Sequence, residues 1–273
     1  MPLLLKQLKM KNYKDICDQV CELSKTAGDF IRKGKGKITT EKIETKSLHS
    51  YVTYVDKNAE QLIVDGLKKI LPEAGFITEE ETETTQSDIY NWIVDPLDGT
   101  TNFIHALEPF SVSIALEKDG KVIVGVVYEV GNNECFYAYE NSAAFLNGKE
   151  IRVSSNKTLA ESLIATGFPY YDFKMNEKIL KSLAYFMEHT QGIRRFGSAA
   201  TDLAYVACGR FDAFYEYSLN VWDVAAGAFI VERAGGKVSD FSKGDNYMYG
   251  REMVAANNFV FDEFSDVIQR FLS

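Results

Sequence analysis

The stretch "FSVSIALEKDGKVIVGVVYEV" at 110–130 constrains the fold more than any other part of the chain. Two runs rich in β-branched residues flank Asp119–Gly120, a pair that accepts the left-handed dihedrals of a tight hairpin turn. Asn147–Gly148, inside "CFYAYENSAAFLNGKEIRV", repeats that signal downstream. An antiparallel sheet therefore occupies much of the first half. Two helices precede it. Residues 12–33 place Ile16, Val20, Leu23, Ala27 and Phe30/Ile31 on one helical stripe. "SYVTYV" at 50–55 reads as a strand, and Asp56 as the cap of a second helix through Leu71, with Pro72 just past its end. Phe76–Ile77 reads as a short strand running into the acidic "TEEETE", followed by the strand "NWIV".

The texture changes after "SSNKT". "SLIATG", "GIRRFG" and "FDAFYEY" are strand-like, while 174–189, 198–208, "WDVAAGAFIVERAGG" and "FVFDEFSDVIQRFL" read as helices. Strands alternating with helices suggest an α/β layer. The expected architecture is mixed α+β and α/β. Residues 1–152 form an N-terminal α+β part with an antiparallel sheet, and 153–273 a smaller C-terminal α/β part that completes the site.

Composition limits what such a chain does. Formal net charge is −9, from 30 basic and 39 acidic side chains, which argues against affinity for nucleic acid through phosphate neutralisation. The basic cluster "RKGKGK" at 32–37 reads as a solvated loop. No apolar run approaches the ~18 residues that span a bilayer, and the N-terminus lacks the pattern of a signal peptide. Four cysteines (Cys17, Cys21, Cys135, Cys208) are too few and too scattered for a disulfide framework; Cys17 and Cys21, four apart on the first helix, read as buried thiols, and a zinc site would want more Cys or His nearby. The expected compartment is the cytoplasm. An acidic protein still handles anionic substrates when metal cations mediate the contact.

The chemistry concentrates at "WIVDPLDGTTNF", residues 92–103. Asp95 and Asp98 follow a strand, Pro96 is expected to stop the sheet ladder, and Gly99 lets the backbone approach a ligand. If Thr100 starts a helical turn, the amides of Gly99, Thr100 and Thr101 form an anion nest beside two hard-cation ligands. Taken alone, this segment is equally a capped turn. The three-residue spacing between the aspartates excludes the D-x-D-G-T signature of haloacid-dehalogenase-type phosphatases, and no G-x-x-x-x-G-K-[ST] loop occurs. Glu79 in "FITEEE" and Asp223 in "NVWDVAAGAFIVERAGG" are two further acids, each alone a loop residue or a helix cap.

In this order and spacing, "FITEEE", "WIVDPLDGTTNF" and "WDVAAGAFIVERAGG" resemble the inositol monophosphatase family of Mg²⁺-dependent, lithium-sensitive phosphatases. "GIRRFGSAATDLAYVACGRFDAFYE" at 192–216 is similar to that family's substrate-side segment in its bacterial form. The resemblance implies a layered α-β-α-β-α sandwich. It also implies a site holding two or three Mg²⁺ ions on Glu79, Asp95, the carbonyl of Leu97, Asp98 and Asp223. Thr100 would stand beside an activated water, oriented by Asp56 and shared with Glu79. Lys46 would lie near the phosphate, with the amides of Gly99 and Thr100, while Gly197, Ser198, Ala199 and Glu216 would contact the alcohol and Asp223 would border it. The implied activity is hydrolysis of a small phosphate monoester, inositol 1-phosphate, by a homodimer. Fructose-1,6-bisphosphatases and 3′-phosphoadenosine phosphate phosphatases share the fold and stay open as alternatives, and a non-catalytic binding protein is the rival from another class. Two positions depart from the pattern. Thr78 stands where glycine usually precedes the metal-binding Glu, and Leu97 replaces the commoner isoleucine.

Overall fold

The computed structural model describes residues 12–37, 43–47, 50–170 and 172–273. Helix α1 (Tyr13–Gly34) begins where the Asn12 side chain accepts the Lys14 N–H, and its stripe from Ile16 to Ile31 is buried. Strands β1 (Ile43–Ser47) and β2 (Ser50–Thr53) form an antiparallel pair that leads into α2 (Tyr54–Ile70). The sequence expectation for this junction is off by one turn. The strand stops at Thr53, and Thr53 rather than Asp56 is the N-cap. Asp56 is three residues further in, and its Oδ2 accepts the Thr53 N–H at 2.8 Å and hydroxyl at 2.6 Å. The pair is a reciprocal capping box, which satisfies amides that the first turn would otherwise leave bare.

Seven strands make the first sheet in chain order: β3 (Gly75–Thr78), β4 (Tyr90–Asp98), β5 (Ser111–Lys118), β6 (Lys121–Glu129), β7 (Glu134–Tyr139), β8 (Ala144–Leu146) and β9 (Lys149–Ile151). Both hairpin signals are realised. Asp119 and Gly120 have φ of 50° and 78°, Asn147 and Gly148 of 48° and 82°, as turns of this twist require. The sheet is antiparallel except at one edge, where β3 runs parallel to β4. Helix α3 (Thr100–Ile104) is a single short turn after β4.

The second sheet has five strands in the order β11 (Gly192–Arg194), β10 (Leu163–Thr166), β12 (Ala213–Tyr217), β14 (Glu252–Ala256), β13 (Lys237–Ser239). Parallel pairs β10–β11 and β10–β12 adjoin antiparallel pairs β12–β14 and β13–β14. Four helices belong to this half: α4 (Asn176–His189), α5 (Ala199–Ala207), α6 (Val221–Arg233) and α7 (Phe261–Leu272).

Strand alternation sorts the side chains into three cores. Trp92 and Val94 of β4 pack with α1 and α2 in the first core. Ile93, between them, points the other way into a second core with α5 and α6. Ala165 of β10 and Phe214 of β12 join that same core from the second sheet. Their neighbours Ile164 and Tyr215 face the third core, with α4 and α7. The layers are therefore helix, sheet, helix, sheet, helix, as expected. Helices α5 and α6 are rich in small residues because they are sandwiched. A Cβ on Gly227 would lie 2.6 Å from Leu203 Cβ, and one on Gly125 of β6 would lie 2.9 Å from the Ala226 carbonyl. Cys17, Cys21 and Cys135 are buried free thiols. Among the described residues no helix is long and apolar enough to cross a membrane.

Candidate metal centre and active site

The centre starts with a bulge. Residues three apart on a regular strand point to opposite faces, so a plain β4 would separate Asp95 from Asp98. The register pairs Asp95 with Ser113 and Asp98 with Ser111, three steps on β4 against two on β5. The extra residue turns the strand by half a pleat and returns both carboxylates to one side. Pro96 thus does not end the ladder, contrary to the sequence expectation. A residue without an N–H sits in the bulge, where no ladder bond is needed. Inside it the Leu97 N–H donates to Asp95 Oδ1 at 2.8 Å. The Leu97 carbonyl is left to accept the Thr100 hydroxyl at 3.0 Å.

Three other segments converge on the bulge. Parallel pairing of β3 continues one residue past the strand, the Glu79 N–H donating to the Val94 carbonyl at 3.2 Å, which sets Glu79 beside Asp95. Thr78, the unusual neighbour, turns away; its hydroxyl donates to the Glu83 carbonyl at 3.0 Å. Asp223 lies at the third position of α6, not at its cap. Asn220 is the cap, and its N–H donates to Asp223 Oδ2 at 2.6 Å. The start of α6 is pinned to the sheet by the Ser113 hydroxyl, which donates to the Trp222 carbonyl at 3.0 Å. Ser198 caps α5 and at the same time donates to Asp98 Oδ2 at 2.6 Å, as the Ala200 N–H does at 2.8 Å.

Asp95, Asp98 and Asp223 each present an oxygen within 4.8 Å of the others. Burial and mutual repulsion set the charge state of the cluster. Burial, then Glu79, Asp98 and Asp223, push the Asp95 carboxyl well above the usual range, and Asp95 shares a hydrogen bond with Glu79. Burial raises Asp98 to about 6 against the opposing Ser198 and Ala200 donors. Burial and Asp98 raise Asp223 to about 8. Crowded carboxylates either hold protons or bind cations. The donor set consists of carboxylates and the Leu97 carbonyl. Oxygen donors of this kind suit Mg²⁺ or another hard divalent ion, so the residues fit the expected metal.

Glu79, Asp95, Leu97, Asp98, Gly99 and Thr100 line a single cleft. Gly197, Ala199, Glu216 and Asp223 line the same cleft. Gly99 has φ of 92°, the left-handed turn that starts α3. Asp56 is fully buried and accepts the Thr100 hydroxyl, and Ser198 is buried and donates to Asp98. Lys46 belongs to β1, but its side chain falls outside the described residues. Several cleft or supporting residues carry no sequence signature. Phe168, Tyr170, Arg195 and Asn220 line the cleft. Glu60 of α2 accepts the Glu80 and Thr82 N–H groups, both at 2.8 Å, holding the loop that bears Glu79. Asp202 of α5 is buried, both oxygens without a partner among the described residues; burial, then Glu216 and Asp98, hold its carboxyl far above the usual range. A signal for these would have required knowing which loops meet.

Known proteins resemble this chain over most of its length. The model of the inositol monophosphatase family matches residues 12–269. An inositol-1-monophosphatase of Rhizobium meliloti (strain 1021) is 38% identical over 245 residues, covering 89% of this chain and 92% of its own. A protein named Nus factor SuhB, from Escherichia coli (strain K12), is 41% identical over 257 residues, covering 90% and 96%. The crystal structure of the extragenic suppressor protein suhB from Bartonella henselae superposes with a TM-score of 0.90 at 37% identity, covering 94% of this chain and 99% of that one.

Proposed function

The chain belongs to the inositol monophosphatase family, and on that premise we propose that it is a Mg²⁺-dependent phosphomonoesterase that hydrolyses myo-inositol 1-phosphate to inositol and phosphate. The observation that carries this reading is the meeting of Asp95, Asp98 and Asp223 within 4.8 Å, in a cleft that continues to Glu216. One end of the cleft is a cation site, and the other is a polar seat for an alcohol.

Bound Mg²⁺ would supply Lewis acidity toward phosphate oxygens and lower the pKa of an attacking water. It would be held by Glu79, Asp95, Asp98, Asp223 and the Leu97 carbonyl. The Thr100 hydroxyl, fixed by Asp56, orients the water for in-line attack on phosphorus, and Glu79 takes its proton. The ester P–O bond breaks as the departing alkoxide takes a proton from solvent water. The amides of Gly99 and Thr100 face the equatorial oxygens as charge develops. Gly197, Ala199 and Glu216 position the departing alcohol. No protein nucleophile is needed, and none of the cleft residues has the spacing of a covalent phosphatase. The resemblance adds a cytoplasmic homodimer to this reading.

Relatives named Nus factor favour a second reading, a regulatory protein that keeps the cleft without turnover. An intact carboxylate set speaks for catalysis. Phosphate release from myo-inositol 1-phosphate, fructose 1,6-bisphosphate and adenosine 3′,5′-bisphosphate, with and without Mg²⁺, decides between them. Fastest Mg²⁺-dependent release from the inositol ester is expected. No release from any of the three would overturn the enzymatic reading.

A further inference from the structure

We propose that Arg195 is the specificity-determining residue of the cleft: paired with Glu216, it grips two neighbouring hydroxyls of the substrate, so that the site selects phosphate esters of polyols. This rests on the phosphatase reading above and deepens it.

Arg195 is the one basic side chain lining the cleft among the described residues. It is held from three directions. Its Nη2 donates to the Tyr170 hydroxyl at 2.6 Å. Its guanidinium carbon lies 5.8 Å from the Phe168 ring centre and 5.6 Å from that of Tyr170. Its Nη1 occupies the space over Gly197, where a Cβ would lie 2.3 Å away. The Tyr170 bond uses one N–H of a group with five, and no other partner for the guanidinium occurs among the described residues.

Glu216 mirrors this arrangement. Its carboxylate is seated against Gly167, where a Cβ would come within 2.0 Å of both oxygens, and it accepts no hydrogen bond from the described residues. Each group is fixed over a glycine, and no ion pair joins them. A rigid donor and a rigid acceptor with vacant bonding capacity face the same space. A vicinal diol matches them, because each hydroxyl both donates and accepts. A second phosphate would suit Arg195 but, having only acceptor oxygens, would give the Glu216 carboxyl no donor. An aryl or alkyl group would leave both unpaired, which costs far more than a missing contact between apolar groups.

The test compares kcat/KM for myo-inositol 1-phosphate, p-nitrophenyl phosphate and fructose 1,6-bisphosphate in the wild type, Arg195→Met and Arg195→Lys, all with Mg²⁺. In Arg195→Met the preference for the inositol ester over the aryl ester should fall by about 10- to 100-fold, mainly through KM, as loss of a charged hydrogen bond predicts. Lysine should restore little of it, because it lacks the planar fork. Tyr170→Phe, which frees the guanidinium, should shift the preference the same way by a smaller factor, and serves if Arg195→Met does not fold. An unchanged preference in Arg195→Met, or in Tyr170→Phe where that variant stands in, overturns the proposal. So does a loss greatest on the bisphosphate, which would make Arg195 a reader of a second anion. A wild type without Mg²⁺-dependent turnover of any ester would instead overturn the phosphatase reading itself.

Discussion

The Thr100 hydroxyl stands 3.1 Å from Asp56 Oδ1, tying the first turn of α3 to the first turn of α2 across 44 positions of sequence. One carboxylate therefore serves two ends: Oδ2 closes the capping box of α2, and Oδ1 orients Thr100. Asp56→Asn keeps an oxygen for one partner but sets an NH₂ group against donors on the other. It should cost about 1 kcal/mol of stability, as lost caps do, together with a fall in kcat. Thr100→Ala should leave the cap intact and lower kcat by about 100-fold or more, the scale of a misplaced attacking group. Thr100→Ser should retain most activity. Thermal unfolding and steady-state kinetics on the three variants separate the two roles.

Asp223→Asn should have opposite effects with and without metal. Removing one charge from the buried cluster relieves repulsion, so the metal-free variant should melt above the metal-free wild type at pH 8. The rise in Tm on adding Mg²⁺ should shrink or vanish, and turnover with it. A variant that keeps the full Mg²⁺ response would exclude Asp223 as a ligand.

The metal-free protein should lose stability as pH rises. Asp98 near 6, Asp223 near 8 and Glu216 near 8 hold protons in the folded chain that an unfolded chain releases near pH 4, burial being the main cause in each. The folded state thus binds more protons between about pH 4 and pH 8, and its advantage shrinks as pH climbs through that window. Tm should fall by about 2–4 °C for each ~1 kcal/mol lost. Mg²⁺ should flatten the profile, bind more tightly at pH 8 than at pH 6, and release protons on binding. Calorimetric titration in buffers of different ionisation enthalpy measures that release.

Gly125→Ala should act on the metal site from a distance. The added methyl meets the Ala226 carbonyl at 2.9 Å, so α6 must shift outward, and α6 carries Asp223. Overpacking of this kind costs about 1–3 kcal/mol. The variant should show a lower Tm and a weaker apparent affinity for Mg²⁺, while Ser24→Ala on α1, remote from α6, should not change Mg²⁺ affinity. Mg²⁺ titrations followed by phosphate release test the pair.

Much of the fold is legible because its signals are local. Asp119–Gly120 and Asn147–Gly148 declare their hairpins, and the stripe from Ile16 to Ile31 declares α1. The candidate ligands Glu79, Asp95, Asp98 and Asp223 are legible only as a set, since each alone matches a cap or a loop. What escapes is register and proximity. Pro96 reads as a strand terminator, and only its pairing with β5 shows that it sits in a bulge. Asp56 and Asp223 read as caps, yet each stands one turn further in, where the side chain reaches back to the cap and still has an oxygen to spare. Arg195 escapes altogether, because its surroundings come from Phe168, Tyr170 and Glu216, on segments far apart in the chain.

The seat of α6 between the two sheets has a consequence for a chain still being made. Glu79, Asp95, Asp98 and Thr100 have all emerged from the ribosome well before residue 223, yet they form only part of the candidate ligand set until α6 docks on β6 and β5. A product cut short at 220 would keep the whole first sheet and the "WIVDPLDGTTNF" segment but lack Asp223. Such a fragment would carry three of the four clustered acids without the helix that brings the fourth. The candidate site is therefore complete only once residue 223 has been made and α6 has docked on β6 and β5.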